Sequence, residues 1–147
     1  MTDLPKLIRP EHSLASTHNE RVRFGDTDAA GIVYYANFYK WFEAGRSELM
    51  RAAGVPYTSI VDQGRFMPVI QSWCRYHTPA RYDDLLRVES WVHELKAATI
   101  VIAHRIEIEE RLVCEGGARL ACVNTAGRVC RIPDDIREVV QRATHEG

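Results

Sequence analysis

Two carboxylates separated by one residue, Asp26 and Asp28, lie in the segment GDTDAAG that runs from Gly25 to Gly31. A helix pattern begins nine residues after Asp28. A helix N-terminus presents unpaired backbone N–H groups and the positive end of the helix dipole, which stabilise an oxygen that gains negative charge. A carboxylate beside such donors is suited to acyl transfer. Asp is also common in turns, so both residues fit an ordinary turn after a strand.

The segments before this pair predict how the loop is held. Residues 19–24, NERVRF, alternate polar and apolar side chains, which predicts a half-buried strand that ends at Gly25. The following residues are rich in Gly and Asp and therefore form a loop. Residues 1–18 are polar, contain two prolines and show no periodicity. We expect a flexible N-terminal arm at 1–18 and one folded domain at 19–147.

The clearest helix pattern covers residues 37–53. Its apolar positions recur at spacings of three and four, and they are Phe38, Trp41, Phe42, Gly45 and Leu49. Asn37 is suited to cap the N-terminus, Gly54 to end the helix in a left-handed conformation, and Pro56 to prevent its continuation. Gly45 costs about 1 kcal/mol of helix propensity relative to Ala. Its place among the apolar residues predicts that another element approaches this face closely.

The rest of the chain reads as strands. The predicted strands cover residues 66–77, 85–95, 98–109, 111–123 and 128–132. The last four are joined by short turns and are therefore antiparallel. Pro133, Asp134 and Asp135 begin a short C-terminal helix. This order predicts an α+β hotdog domain, in which a curved sheet of about five to six antiparallel strands wraps around the long central helix.

The composition limits the classes of function. The 147 residues, 46% apolar and 27% charged, correspond to about one domain. The net charge of −1 gives no positive field for binding nucleic acid. No apolar run approaches the roughly 20 residues of a membrane span and the N-terminus has no signal-peptide core, so we expect a cytoplasmic protein. The cysteines and histidines show no CxxC, HxxxH or HExxH spacing, so we expect no metal site.

The run GDTDAAGIVYYANFYKWFEAGR, residues 25–46, resembles the first motif of the 4-hydroxybenzoyl-CoA thioesterase family of hotdog proteins. That family includes the thioesterase associated with the Tol-Pal operon. The segment PARYDDL, residues 79–85, resembles the family's lead into its third strand, and the similarity covers most of residues 19–133. The resemblance implies hydrolysis of an acyl-CoA thioester, aroyl or short- to medium-chain, to a free acid and CoA. It implies no cofactor, because coenzyme A is part of the substrate.

The resemblance also implies roles for individual residues. The catalytic carboxylate is Asp28, with Asp26 shaping the loop, and the backbone N–H of Tyr35 polarises the thioester carbonyl. Asp28 either attacks the carbonyl to give a mixed anhydride or activates a water molecule, and the nearby helix N-terminus favours the attack. Glu43 is the second candidate for a base, although it can also pair with Arg46 on the helix surface. The Tol-Pal relatives have His where this chain has Tyr35, and Tyr, as in the aroyl branch, favours an aromatic acyl group.

The remaining site residues are predicted less directly. We expect the substrate to contact Gly31, Val33, Asn37 and Trp73. We expect the phosphates of CoA to contact the basic residues Lys96, Arg128 and Arg131 at the ends of the hairpins.

Two other functions remain open at this point. A hotdog hydratase requires a His paired with Asp or Glu, and no His lies in the loop or on the central helix. A non-catalytic module that binds acyl-CoA or an acyl carrier protein would have no need for Asp28. A lone hotdog domain leaves a sheet edge open, so we expect a homodimer or homotetramer with the active site at the interface.

Overall fold

The computed structural model describes residues 7–145 of the protein. Five strands form one antiparallel sheet, namely β1 (Ala15–Arg21), β2 (Val69–Tyr76), β3 (Leu85–Leu95), β4 (Thr99–Ile108) and β5 (Arg111–Ala121). The helices are α1 (Phe38–Ala52), α2 (Tyr57–Asp62) and α3 (Asp134–His145), and 3-10 turns cover Phe24–Asp26 and Tyr35–Asn37. The strand order is β1-β3-β4-β5-β2, so β1 and β2 are the edges. The predicted α+β layout of one long helix, one antiparallel sheet and a short C-terminal helix is confirmed.

Helix α1 lies on the inner face of the sheet and packs mainly against β1 and β3. Phe42 of the helix stacks on the buried ring of His104, with 4.7 Å between the ring centroids. A Cβ atom on Gly45 would overlap the Ser90 hydroxyl and lie 3.2 Å from His104 Nδ1. The close approach predicted at Gly45 is therefore confirmed. Gly54 ends the helix with φ +81°, as its position after the helix predicted.

The outer face of the sheet carries a second apolar cluster. Trp73 of β2, Trp91 of β3 and Ala103 of β4 lie beside one another across the strands, and Leu7 covers them with only 5% of its surface exposed. Leu7 belongs to the segment predicted as an arm. Residues 1–6 of that arm lie outside the described part of the chain.

The first strand differs from its prediction at both ends. β1 begins at Ala15 because residues 15–18 pair with Val88–Trp91 of β3, and this backbone pairing does not require apolar side chains. Val22 is buried as predicted, but Phe24 lies in a 3-10 turn and is 78% exposed. The alternation of residues 19–24 therefore identified a strand but placed it too far along the chain.

The predicted strand at 128–132 is wrong. Only an isolated bridge joins Val129 to Val123, and Ile132 then donates its backbone N–H to Ala97 O at 2.9 Å. Because Ile132 is fully buried in the core beside α3, this segment leaves the sheet to lead into the helix. The sheet of the described residues therefore has five strands. Helix α2 had no periodic signal, since a single buried residue, Ile60, anchors its six residues.

No helix among residues 7–145 is long and apolar enough to cross a lipid bilayer.

Candidate active site

Asp28 lies at the exposed tip of a tight hairpin between the first 3-10 turn and α1. Thr27 and Val33 form a backbone bridge, and Gly31 donates its N–H to Asp28 O at 2.9 Å. Gly31 has φ +79°, a left-handed conformation that favours glycine. The Asp28 carboxylate accepts the backbone N–H of Ala30 through Oδ1 at 2.8 Å. This contact fixes the side chain over the turn and leaves the second carboxylate oxygen free of protein donors among the described residues.

Tyr35 begins the 3-10 turn that runs directly into α1. Because Tyr35 is the first residue of this helical turn, its backbone N–H has no acceptor within the turn. Among residues 7–145 no other group accepts this N–H. The carbonyl oxygen of Tyr35 accepts the hydroxyl of Tyr76 at 3.1 Å, which ties this turn to the end of β2. A free donor is thus present at the predicted residue, on a 3-10 turn and not on the α-helix itself.

Asp26 fastens the loop to the helix. The residue is 7% exposed, and its carboxylate accepts both the Lys40 ammonium group and, at 2.8 Å, the backbone N–H of Arg23. Its backbone oxygen accepts the N–H of Tyr34 at 2.9 Å and the amide of Asn37 at 2.8 Å. Burial raises the pKa of Asp26, but the hydrogen bonds from Lys40 and Arg23 outweigh it and hold the pKa below its usual value. Asp26 therefore shapes the loop.

The expected capping role of Asn37 is wrong. The residue precedes α1, but its side chain makes no hydrogen bond to the helix N-terminus and its own backbone is helical, with φ −66°. The 3-10 turn extends the helix at its N-terminal end, so Asn37 lies inside the helical segment. Its side-chain amide is therefore available to bind the loop at Asp26 O. Whether Asn37 also contacts substrate stays a prediction.

The other predicted substrate contacts lie in different surroundings. Val33 is buried in the core and donates its N–H to Ala80 O at 2.8 Å. Gly31 is exposed at the hairpin that carries Asp28. Trp73 lies on the outer face of the sheet, opposite α1, under Leu7. Within one chain, Trp73 is thus separated from the other predicted contacts by the sheet itself.

The basic residues predicted for the phosphates of CoA lie at the other end of the sheet. Lys96 is in the β3–β4 turn, and the segment containing Arg131 runs beside that turn through the bond from Ile132 N to Ala97 O. Asp28 lies near the start of β3, since Ile32 bridges Arg81. β3 has 11 residues and rises about 3.3 Å per residue, so its two ends are about 33 Å apart.

A cavity of about 400 Å³ was not predicted from the sequence. It lies between α1, α2, α3 and the inner face of β4 and β5, and its lining includes the polar residues Glu43 and Arg46. The residues that complete it are Ser47, Met50, Tyr57, Ile60, Met67, Val69, Ile100, Ile102, Leu120 and Ile136.

The sequence also did not predict the roles of Lys40 and Tyr76. Lys40 holds the loop through Asp26, and Tyr76 holds the turn that begins at Tyr35. Nothing in the local sequence of either residue indicates a distant partner.

Comparisons with known proteins identify the family. A model of the thioesterase-like superfamily matches residues 22–140. A putative esterase of Aquifex aeolicus is 31% identical over 124 residues, 84% of this chain and 96% of that protein. The acyl-CoA thioesterase YbgC of Haemophilus influenzae is 32% identical over 105 residues, 71% of this chain and 77% of that protein.

A solved structure agrees with these relatives. The 4-hydroxybenzoyl-CoA thioesterase of Pseudomonas sp. strain CBS-3 superimposes with a TM-score of 0.77 and 25% identity, covering 85% of this chain and 98% of that one. The predicted hotdog architecture and the resemblance carried by residues 25–46 are both confirmed. This chain belongs to the thioesterase-like superfamily.

Proposed function

We propose that this protein is an acyl-CoA thioesterase that hydrolyses its substrate to a free acid and coenzyme A. The observation that carries the proposal is the Asp28 carboxylate, which has one free oxygen and lies on a hairpin whose next turn begins with the free N–H of Tyr35. Relatives named as acyl-CoA thioesterases support it. The reaction consumes water and needs no cofactor beyond the CoA of the substrate.

The proposed mechanism uses Asp28 as the nucleophile. Its free oxygen attacks the thioester carbonyl carbon, and the carbonyl oxygen becomes an oxyanion that accepts the Tyr35 N–H. Collapse of this intermediate breaks the carbon–sulfur bond, releases the CoA thiolate and leaves a mixed anhydride on Asp28. Water then hydrolyses the anhydride and restores the carboxylate. In the general-base alternative, Asp28 removes a proton from the attacking water.

The active form in this proposal is a homodimer, or a homotetramer built from such dimers, in which β2 pairs with β2 of a second copy. β2 is an unpaired edge, and it exposes apolar side chains that include Val69 at 47% and Ile70 at 57%. Such an edge is a ready template for another strand. Antiparallel pairing about a two-fold axis would set the Tyr76 end of one β2 beside the Val69 end of the other.

This pairing would complete the site. Tyr76 is bonded to the Tyr35 turn, whereas Val69 lines the cavity at the end of the sheet that carries Lys96. Asp28 of one protomer would therefore approach the cavity and the basic turns of its partner. The roles proposed for Lys96, Arg128 and Arg131 on the CoA phosphates rest on this arrangement, because one chain alone separates them from Asp28 by the length of β3.

We also propose that the reaction takes place in the cytoplasm. The four cysteines are free thiols. This pattern is typical of a reducing compartment.

An acyl carrier protein is the alternative carrier of the acyl group. Comparing turnover of an acyl-CoA with turnover of the same acyl group on a carrier protein tests this alternative.

The proposed activity is tested by measuring thiol release from benzoyl-, 4-hydroxybenzoyl-, butyryl- and decanoyl-CoA with a disulfide reagent. We expect turnover of at least one of these thioesters, and the preferred one separates an aromatic from an aliphatic acyl group. Binding of the acyl-CoAs without any thiol release would contradict hydrolysis and favour a non-catalytic binding module.

A further inference from the structure

The cavity of about 400 Å³ has the size of a small-molecule site. Its walls are mostly apolar side chains from six elements, with Met50 of α1, Ile102 of β4 and Leu120 of β5 among them. Val69 at its rim belongs to the β2 edge, where a second copy would bring Asp28 under the proposed function. An acyl chain attached to the reacting thioester therefore has an apolar cavity to enter.

Arg46 is the unusual member of this lining. Its guanidinium is half-buried between α1 and the sheet, and it makes no hydrogen bond or ion pair with any residue in 7–145. Burial lowers the pKa of Arg46, and the Glu43 carboxylate only partly opposes this effect. A guanidinium has five donors and remains charged in proteins, so Arg46 is available to an anionic acceptor that enters the cavity.

The neighbouring carboxylate of Glu43 does not form a salt bridge with Arg46. It is exposed on α1 and, although it lies three residues before Arg46, the surface pair that this spacing allows is not formed. Both side chains line the cavity, but Glu43 is exposed whereas Arg46 is half-buried, so the positive charge is the more buried of the two. A carboxylate is the planar two-oxygen acceptor that fits a guanidinium best.

We propose that the cavity takes the acyl chain of the substrate and that Arg46 selects an acyl group that ends in a carboxylate, the CoA monothioester of a dicarboxylic acid. This inference rests on the proposed thioesterase function and names the class of its substrate. Arg46 is a specificity-determining residue in this scheme and takes no part in breaking the thioester bond.

The test compares hexanoyl-, octanoyl- and decanoyl-CoA with adipoyl-, suberoyl- and sebacoyl-CoA, pairs that differ only in a terminal methyl or carboxylate. We expect wild-type protein to prefer the carboxylated member of the pair whose length matches the cavity. Arg46→Met should lower kcat/KM for that substrate by about tenfold or more, since one charge-assisted hydrogen bond is lost, and leave the methyl-ended partner nearly unchanged. Arg46→Lys should recover part of the preference.

Arg51→Met is the matched control, because Arg51 is exposed on the same helix and pairs with Glu48. Binding of the same pairs to the Asp28→Asn variant, measured by calorimetry, reports on the cavity without turnover. Equal effects of Arg46→Met on both members of every pair would overturn the inference while leaving the thioesterase function intact. Absence of thiol release from every thioester would overturn the proposed function, and the calorimetry would still decide the role of Arg46.

Discussion

Asp26 and Asp28 are one residue apart, yet their surroundings give them different tasks. The Asp26 carboxylate is buried and occupied by Lys40 and the Arg23 N–H. The Asp28 carboxylate is exposed and accepts a single N–H from Ala30. A carboxylate whose oxygens are both bonded can position a loop, whereas one with a free oxygen can react. The sequence motif predicts that Asp26 shapes the loop and that Asp28 reacts. The contacts of Asp26 explain physically why it holds the loop.

A pH dependence follows from His104, which is fully buried and hydrogen-bonded to Ser90 at 2.7 Å. Burial, reinforced by the nearby charges of Arg46 and His18, holds the pKa of His104 well below 6.5. The folded state therefore disfavours the proton that the unfolded chain binds, and stability falls as the pH drops below about 6.5. The loss is up to about 1.4 kcal/mol per pH unit.

Urea unfolding at about pH 7.5 and pH 5.5 checks this dependence. We expect the wild type to lose more stability between these values than a His104→Asn variant does. His145→Asn, which replaces an exposed histidine at the end of α3, is the control and should behave like the wild type. An identical loss in the wild type and in His104→Asn would show that another group is responsible.

At the scale of elements, the contact between α1 and the sheet depends on Gly45. Ala at this position gains about 1 kcal/mol of helix propensity, but its Cβ would overlap the Ser90 hydroxyl. Overpacking of this kind typically costs about 1–3 kcal/mol, which outweighs the helix gain, so we expect Gly45→Ala to destabilise the protein by a net of up to about 2 kcal/mol. Gly25→Ala is the control, since a Cβ there meets nothing within 4 Å. A Gly45→Ala variant more stable than the wild type by the full helix gain of about 1 kcal/mol would contradict the close approach.

The elements with strong periodicity were predictable. α1 and β3–β5 show regular apolar spacing, and at the short turn predicted between β4 and β5 Glu109 takes a left-handed φ of +56°. β1 starts earlier than predicted, because an edge strand can be polar and still pair with β3. The cavity was hidden because Glu43 and Arg46 occupy helix positions that resemble a solvent-facing surface. That side of α1 is enclosed in part by α3, which is distant from it in the sequence.

At the scale of the whole molecule, the proposal requires two copies joined along β2. Ile70→Lys would place a charged side chain on the pairing edge of each copy and weaken the contact. We expect wild-type protein to sediment as a dimer or tetramer at micromolar concentration, and Ile70→Lys to shift towards monomer and lose most of its turnover. Val129→Lys, at a valine that is 67% exposed and outside β2, should change neither property. A stable wild-type monomer with full activity would contradict the composite site.

The most direct test of the central claim is thiol release by the Asp28→Asn variant, measured on the preferred acyl-CoA of the wild type. Asn keeps the size of the side chain and its bond from the Ala30 N–H but removes the reactive carboxylate. We predict that kcat falls by at least about a hundredfold with little change in KM, while the control Asp62→Asn, at an exposed position of α2, keeps wild-type rates. Equal turnover by the wild type and Asp28→Asn would contradict the account and reduce Asp28 to a turn residue.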